Sequence, residues 1–385
     1  MKVLMIGSDR LLFQEGSSVR DRLVATATLF DELHIVVFAN KTLGLKKQKI
    51  SNNVWIYPTS SLNRWTYVIG AVAIGSKIIR DWDTNDSVIS TQDPFEAGVV
   101  GVKLKKKFGI PLQFQVHTDF LSPHFVQGFL NKMRVRIADS IMKYANSVRV
   151  VSLRIKDAII EKYNLDSQSV TVLPIFVDVQ SFIQNKTNEN FRSRYPEFKS
   201  IVLMISRLTH EKNIMEALSI LKDVLKTNPE TGLLIVGAGP EREILERKAR
   251  DLGVEDNVRF ESWSDNISAY YNTADIFLLT SFFEGYGLTI IEAGAHRIPV
   301  VASDVGIVGD GFRDGIELSV CPVGDTECFV EKLNVLISDR DLRMQYAVNF
   351  EAVLMEKYTQ DFDDYIVDFR DSLLWCISES KSRVF

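Results

Sequence analysis

Short apolar runs alternate with amphipathic stretches along almost the whole chain of 385 residues. Val3–Ile6, His34–Phe38, Val54–Tyr57, Ser87–Ser90, Leu112–His117, Ser147–Val151 and Val170–Pro174 are near-continuous apolar runs. Such runs predict strands covered on both faces, whereas a half-solvated strand would alternate. Between them, Val19–Leu33 and Glu96–Phe108 carry helical spacing. The rhythm breaks at 181–199, where Gln-Asn-Lys-Thr-Asn-Glu-Asn is polar and aperiodic, as in a linker. It then restarts with strands at Ile201–Ile205, Leu233–Val236, Val258–Glu261, Ile276–Thr280, Pro299–Ser303 and Leu318–Cys321, and helices at Ile214–Leu225 and Glu241–Leu252. Strand–helix alternation of this kind predicts an α/β protein with parallel sheets. The expected organisation is two Rossmann-like, doubly wound domains facing a cleft, over 1–180 and 200–357, joined by the linker 181–199. The tail 358–385 is an amphipathic helix with Phe362, Ile366, Phe369, Leu373 and Ile377 at helical spacing. Its pattern fits packing back on the first domain and packing on the second equally well.

Composition narrows the class. A hydrophobic share of 46% is ordinary for a globular chain. No apolar run reaches the roughly 18 residues a membrane span needs. The opening Met-Lys-Val-Leu-Met-Ile-Gly-Ser-Asp fits a buried first strand better than a secretion signal. Cys321, Cys328 and Cys376 have no metal-ligand spacing, and a reduced cytoplasmic setting is the simplest expectation. The net charge of −5 conceals an asymmetry: residues 1–180 hold 23 Lys and Arg against 16 Asp and Glu, and the rest 22 against 34. A basic first half points to an anionic substrate or surface. Lys103, Lys105, Lys106 and Lys107 cluster at a helix end, where the helix dipole alone accounts for them. Phe129, Met133, Ile137 and Ile141, with Lys132, Arg134, Arg136 and Lys143, fit either a core-facing helix or one lying in a membrane interface. Trp65 and Trp82 could join the latter. No nucleic-acid motif accompanies these segments, and nucleic acid is not an expected partner.

The densest chemistry lies in Glu284-Gly-Tyr-Gly-Leu-Thr-Ile-Ile-Glu292, between two strand-like runs. A Gly-bearing turn into a helix offers backbone N–H groups to phosphate, and an acid in the helix can accept from sugar hydroxyls. Arg207 and Lys212 follow the strand Ile201–Ile205, where two fixed cations can stabilise a departing diphosphate. Taken alone, Arg207 and Lys212 fit a surface ion pair with Glu211 or Glu216 better; beside the Glu284–Glu292 segment the functional reading overtakes it. Gly237-Ala-Gly239-Pro begins like a dinucleotide fingerprint, but Arg242 stands where a third small residue is needed. No histidine pair has a zinc spacing.

Arg207-x4-Lys212 followed by Glu284-x7-Glu292 in the second domain resembles the retaining glycosyltransferases of the GT-B fold, family 4, the group 1 glycosyl transferases. Gly237-Ala-Gly239-Pro and Pro299-Val-Val-Ala-Ser are similar to further segments of that family. The likeness is specific over roughly 200–310 and looser upstream. It implies that Arg207 and Lys212 hold the donor diphosphate and Glu292 the ribose hydroxyls. Glu284 would lie near the transferred sugar, with the backbone of Gly285, Tyr286, Gly287 and Leu288 close to sugar or phosphate. His117, in Gln-Val-His-Thr-Asp, matches the family's histidine on the acceptor side. Gly16 matches its first glycine loop, although Ser17 or Ser18 there also suits a helix cap. Two departures stand out. Pro174-Ile-Phe-Val-Asp178 replaces the usual Asn-Gly before Val-Asp, and the first glycine loop has one glycine where many relatives have two.

The resemblance implies a metal-independent hexosyltransferase without cofactor. It would move a sugar from a UDP- or GDP-sugar to a hydroxyl acceptor, such as a lipid-linked saccharide or a polysaccharide or glycoconjugate precursor. The expected location is cytoplasmic, with contact to an anionic membrane surface left open. The alternatives are a nucleotide-sugar epimerase of the same fold, a glycosidase using Glu284 and Glu292 as paired carboxylates, and a non-catalytic sugar-nucleotide-binding protein.

Overall fold

The apolar run Val3–Ile6 is fully enclosed, as a central strand must be if helices cover both faces of its sheet. In the computed structural model, which describes residues 1–184, 189–264 and 266–382, it forms part of β1 (Lys2–Gly7). The chain divides into two compact units: Met1–Pro174 together with the terminal stretch from Phe362, and Ile175–Asp361. Residues 185–188 of the expected linker and 383–385 of the tail lie outside the described residues.

Unit 1 holds β1, β2 (Glu32–Val37), β3 (Gln48–Ser51), β4 (Val54–Pro58), β5 (Ser87–Thr91), β6 (Leu112–Val116), β7 (Ser147–Val150) and β8 (Val170–Val172). Their order is β3-β4-β2-β1-β5-β6-β7-β8. All pair in parallel except β3, which runs antiparallel to β4 and corrects the expectation of a purely parallel sheet. Gln48 and Lys49 on that edge strand are too polar to signal a buried strand, and lysine on an edge deters further pairing. The first helix also ends earlier than its apolar spacing suggests. It spans Ser18–Thr26, and one 3₁₀ turn then leads to β2. The Asn53 side-chain amide stops it by donating to the carbonyls of Ala27 at 2.7 Å and Phe30 at 2.8 Å.

The terminal helix Phe362–Ser382 belongs to this unit. Phe369, Leu373, Cys376 and Ile377 share a core with Val3, Met5, Phe30 and Leu33. Beside that core runs a buried polar chain. Arg149 on β7 donates to Gln115 Oε1 at 2.9 Å, the Leu173 carbonyl at 3.1 Å and the Tyr365 hydroxyl at 2.9 Å. Gln115 Nε2 donates to Ser90 Oγ, Ser90 Oγ to Gln113 Oε1, and Gln113 Nε2 to the Ser372 carbonyl. A guanidinium only donates, so Arg149 fixes the direction of every later bond.

Unit 2 holds β9 (Ser200–Ile205), β10 (Thr231–Val236), β11 (Val258–Glu261), β12 (Ile276–Leu279), β13 (Val300–Ser303) and β14 (Ser319–Cys321). The order is β11-β10-β9-β12-β13-β14, parallel throughout. From β9 the chain winds one way to β10 and β11, then crosses back to β12, so the switch point lies between β9 and β12. Ile214, Ala217, Leu218 and Leu221 of the helix Ile214–Val224 pack on Val202 and Met204 of β9. The expectation of three unpaired thiols is corrected here. Cys321 at the end of β14 and Cys328 in the next helix are joined, with Cα atoms 5.8 Å apart. A strand–turn–helix return closes the seven-residue gap, which is invisible as a spacing motif.

Arg149 is buried without a carboxylate partner among the described residues, so its value lies in the acceptors it satisfies. Arg149→Ala takes one of two donors from the Gln115 oxygen and removes the guanidinium donor from the Leu173 and Pro174 carbonyls and the Tyr365 hydroxyl. Unit 1 is expected to lose about 2–4 kcal/mol of stability, seen as an earlier denaturant transition. An unchanged transition would show that the chain is not held by Arg149.

Candidate active site

Strand ends at a switch point carry loops that diverge to opposite faces of the sheet, leaving a crevice. In unit 2 the loop after β9 holds Arg207 and Lys212, and the loop after β12 holds Ser281 and Glu284. Backbone and side-chain bonds sew the two together. Phe282 N donates to the Glu211 carbonyl at 2.9 Å. Thr280 Oγ1 donates towards the carbonyls of Lys212 and Asn213, at 3.1 and 3.0 Å. Lys212 Nζ lies 2.6 Å from Glu284 Oε1, and Ser281 Oγ donates to the same oxygen at 2.7 Å. The paired side chains are 17% and 12% exposed, so this contact is screened far less than a surface pair.

Arg207 differs. Its side chain is 74% exposed and pairs with Glu211 at 2.9 Å, the surface ion pair that spacing alone also allowed. Its backbone, by contrast, is tightly held. A Cβ on Gly237 would stand 1.9 Å from the Ser206 carbonyl, and one on Gly239 2.3 Å from the Leu208 carbonyl. The Gly-Ala-Gly turn therefore lets the chain pass directly against the Arg207 loop. Arg242 pairs with Glu246 at 2.8 Å instead of leaving room for a dinucleotide. A small cavity at the ends of β9 and β12 is lined by Ser206, Lys212, Thr280, Ser281, Glu284 and Thr289. Ser206 Oγ is buried there without a partner among the described residues, and such an orphan group needs a ligand or solvent.

Gly287, with φ +103°, opens the helix Leu288–Ala295. A side chain at that angle is strained, and glycine supplies no cap, so no side chain caps the helix's first N–H groups. Tyr286 is buried, with its hydroxyl against Tyr358. Glu292 lies one turn into the helix. Its Oε2 accepts from Tyr271 at 2.8 Å, and Oε1 has no protein donor among the described residues. Burial raises its carboxyl, while the Tyr271 bond opposes that rise. His296 donates from Nδ1 to the Glu292 carbonyl at 2.7 Å and stacks on Tyr271.

Two sequence candidates belong to unit 1. Gly16 has φ +73° and precedes Ser17, which accepts from Arg20 N at 3.3 Å and so caps the first helix. His117 follows β6, with Nε2 3.1 Å from Gln115 Oε1. Arg149 already donates to that oxygen, so it is an acceptor and His117 carries its proton on Nε2. The Nδ1 lone pair is left for another donor. Burial, and secondarily Arg149, push the imidazole down to about 3. Gln115, Arg149, Ser206, Tyr271 and Ser281 were not singled out from sequence. Isolated polar residues in apolar runs carry no motif, although a buried polar side chain in a strand is itself a signal.

The mixed expectations for the basic segments also resolve. In the helix Phe129–Ile141, Ile141 is buried and Met133 and Ile137 half-buried, whereas Phe129 is 77% exposed. Lys105 donates to the Tyr144 carbonyl and Asn146, a structural role. Trp82 packs against His34, while Trp65 is 78% exposed. No helix among the described residues is long and apolar enough to cross a membrane, and none of their His, Cys, Asp and Glu clusters suits a metal ion.

The ordinary imidazole value is 6.5, and folding takes His117 to about 3. Between those values the unfolded chain binds the proton and the folded one does not. This group therefore destabilises the fold as pH falls through that window, by about 1.4 kcal/mol per pH unit. A ring-nitrogen NMR titration is expected to show His117 neutral, with its proton on Nε2, from pH 8 to pH 5. Ionisation above pH 5 contradicts the assignment.

Residues 185–352 match the family model of the glycosyl transferases group 1, and residues 27–181 that of Glycosyltransferase Family 4. The chain is 27% identical over 231 residues to the alpha-monoglucosyldiacylglycerol synthase of Streptococcus pneumoniae, covering 56% of this chain and 51% of the relative. It is 24% identical over 309 residues to the glycogen synthase of Mycobacterium tuberculosis, covering 78% and 72%. The match thus spans about half the length of the first relative and about seven-tenths of the second. Among solved structures, Anabaena HepE in complex with UDP and glucose superposes with TM-score 0.73 at 20% identity, covering 97% of this chain and 99% of that one. The sucrose-phosphate synthase of Thermosynechococcus elongatus does so with TM-score 0.79 at 17% identity, covering 96% and 98%. With both of its α/β units accounted for by these matches, the chain belongs to the group 1, Family 4 glycosyltransferases and has the GT-B fold.

Proposed function

We propose that this glycosyltransferase moves a hexose from a nucleotide-sugar to a hydroxyl acceptor with retention at the anomeric carbon, without a metal. The observation that carries the reading is the sewn pair of loops at the β9/β12 switch point, with Lys212 held 2.6 Å from Glu284. Lys212 and Arg207 would neutralise the diphosphate as the glycosidic bond lengthens, a role in which fixed cations replace a metal ion. The uncapped N–H groups at Leu288 add a helix-end dipole of the same sign. Glu292, with Oε1 open and Oε2 anchored by Tyr271, would accept from the ribose hydroxyls. Glu284 would face the transferred sugar once the diphosphate shares Lys212. In unit 1, His117 would offer its Nδ1 lone pair to a sugar hydroxyl, and Gly16 would line the donor or acceptor approach.

UDP in the HepE complex and the diacylglycerol-based product of the pneumococcal synthase support a uridine donor and a lipid-linked acceptor. A related enzyme named for amylovoran biosynthesis, in Erwinia amylovora, supports polysaccharide or glycoconjugate precursors equally. Leu62, Trp65, Ile69 and Phe129 are each more than two-thirds exposed. Arg64 and Arg134, next to these groups in sequence, both pair with Glu96, which brings the apolar residues to one side of unit 1. That side is the proposed contact with an anionic membrane surface.

The test begins with nucleoside diphosphates and their sugars, screened by thermal shift, followed by product analysis with acceptors. Stabilisation by UDP or GDP, and a product keeping the donor's anomeric configuration, are expected. Conversion of donor without acceptor would point instead to an epimerase. No response to any nucleotide removes the transferase reading of the site. Arg207→Ala and Lys212→Ala are each expected to cut turnover roughly 10²–10³-fold with circular dichroism unchanged. Near-normal transfer by either variant refutes the charge role.

A further inference from the structure

Unit 1 has its own switch point, between β1 and β5. There the structure opens a cavity of about 280 Å³ lined by Ser8, Arg10, Phe38, Arg64, Tyr67, Asp93, Glu96 and Arg134. Three guanidiniums face two carboxylates. Glu96 takes Arg64 at 3.1 Å and Arg134 at 3.3 Å. Asp93 Oδ1 is occupied by the backbone N–H groups of Phe95 at 2.7 Å and Ala97 at 3.1 Å. Burial raises the Asp93 carboxyl to about 6, so the cavity loses negative charge as pH falls below neutrality. Arg10 donates from Nε to the Phe38 carbonyl at 3.3 Å and has no carboxylate within ion-pair distance among the described residues. The terminal nitrogens of Arg10, Arg64 Nε and Nη1, and Arg134 Nη1 make no protein hydrogen bond among the described residues.

We infer that this cavity is an anion subsite that takes a phosphate group carried by the acceptor, with Arg10 as its first cation and the Arg64–Arg134 pair as its second. Acceptance of a phosphate as acceptor rests on the transferase reading above; binding of phosphate at the cavity does not. Guanidiniums match phosphate in two-point geometry and stay charged at any working pH. Glu96 is the internal counter-ion, spanning Arg64 and Arg134 until a more highly charged anion arrives. Ser8, Tyr67 and Asp93 offer hydroxyl and carboxyl groups to the alcohol portion of the same molecule.

The phosphate is either on a soluble alcohol or in a lipid headgroup, and the two sources separate in experiment. The full chain is titrated calorimetrically with glycerol 3-phosphate and with glycerol. It is also sedimented with phosphatidylcholine vesicles, with and without phosphatidic acid. UDP binding is measured in parallel on the same protein. Arg10→Gln lies on an exposed turn and is not expected to disturb folding; Arg64→Gln is the second variant. Saturable binding of glycerol 3-phosphate but not glycerol, weakened at least tenfold in both variants, supports a soluble phosphate. Sedimentation that requires phosphatidic acid and drops at least fivefold in both variants supports a lipid phosphate. If both variants behave as wild type with both probes, or the wild type binds neither, the subsite is refuted. Loss of UDP binding with phosphate binding intact sinks the transferase reading and leaves the cavity an anion site. Retained UDP binding with no phosphate response does the reverse.

Discussion

The reversal of strand order between β9 and β12 is the constraint from which the candidate site follows. Adjacent parallel strands whose helices lie on opposite faces cannot share a continuous loop cover, so a crevice opens at their carboxyl ends. Such a crevice is useful only if its walls hold still. Here the walls are the Arg207–Lys212 loop and the Ser281–Leu288 turn, tied by Thr280, Phe282 and the Lys212–Glu284 pair. Removing one partner of a buried pair costs about 3–5 kcal/mol, because the other charge is stranded. The empty site avoids that cost internally. On the proposed reading, a diphosphate entering it would meet an ammonium already placed and largely shielded from water, with the reorganisation completed during folding.

Much of the frame was legible in the sequence because its signals are collective. Near-continuous apolar runs gave nearly every central strand of both sheets, and the polar break near 181–199 marked where one rhythm stops. What failed was local. β3 is polar because it is an edge strand, so the rule for buried strands cannot find it. The first helix ends where Asn53, twenty-six positions beyond Ala27, caps it, and no local pattern encodes a distant cap. Cys321 and Cys328 meet through a turn whose geometry the spacing does not reveal. The tail's apolar stripe fitted two surfaces, and only the packing of Phe369 and Leu373 on Val3 and Met5 distinguishes them.

The candidate site was legible to a different degree. Lys212 stands out as a cation just after an apolar strand, and Glu284, Gly287 and Glu292 as charge and glycine in a largely apolar stretch; the structure brings Lys212 and Glu284 together at the switch point, with Gly287 and Glu292 on the turn and helix that follow β12. Arg207 shares the loop, but its side chain rests on Glu211, which i,i+4 spacing equally allows. The residues that orient this machinery were silent. Tyr271 anchors one oxygen of Glu292, and Arg149 sets the tautomer of His117 through Gln115. Neither has a partner nearby in sequence, so their roles exist only once strands and helices are placed.

The two switch points share an electrostatic plan that neither sequence half announces. In unit 2 a glutamate neutralises a lysine; in unit 1 a glutamate spans two arginines. A cation in a crevice needs a counter-ion, or the fold bears its desolvation alone. A carboxylate supplied by the chain meets that need but carries a single charge. A phosphate or diphosphate brings more charge and more acceptor oxygens, so it can share the cations without leaving them bare, whereas a neutral sugar cannot compete at all. If both crevices take anions as proposed, the internal glutamates would act as a threshold, neutralising the cations of each crevice and yielding only to anions able to match or exceed them. On this argument the discrimination between phosphorylated and unphosphorylated ligands comes less from added attraction than from the carboxylate already in place.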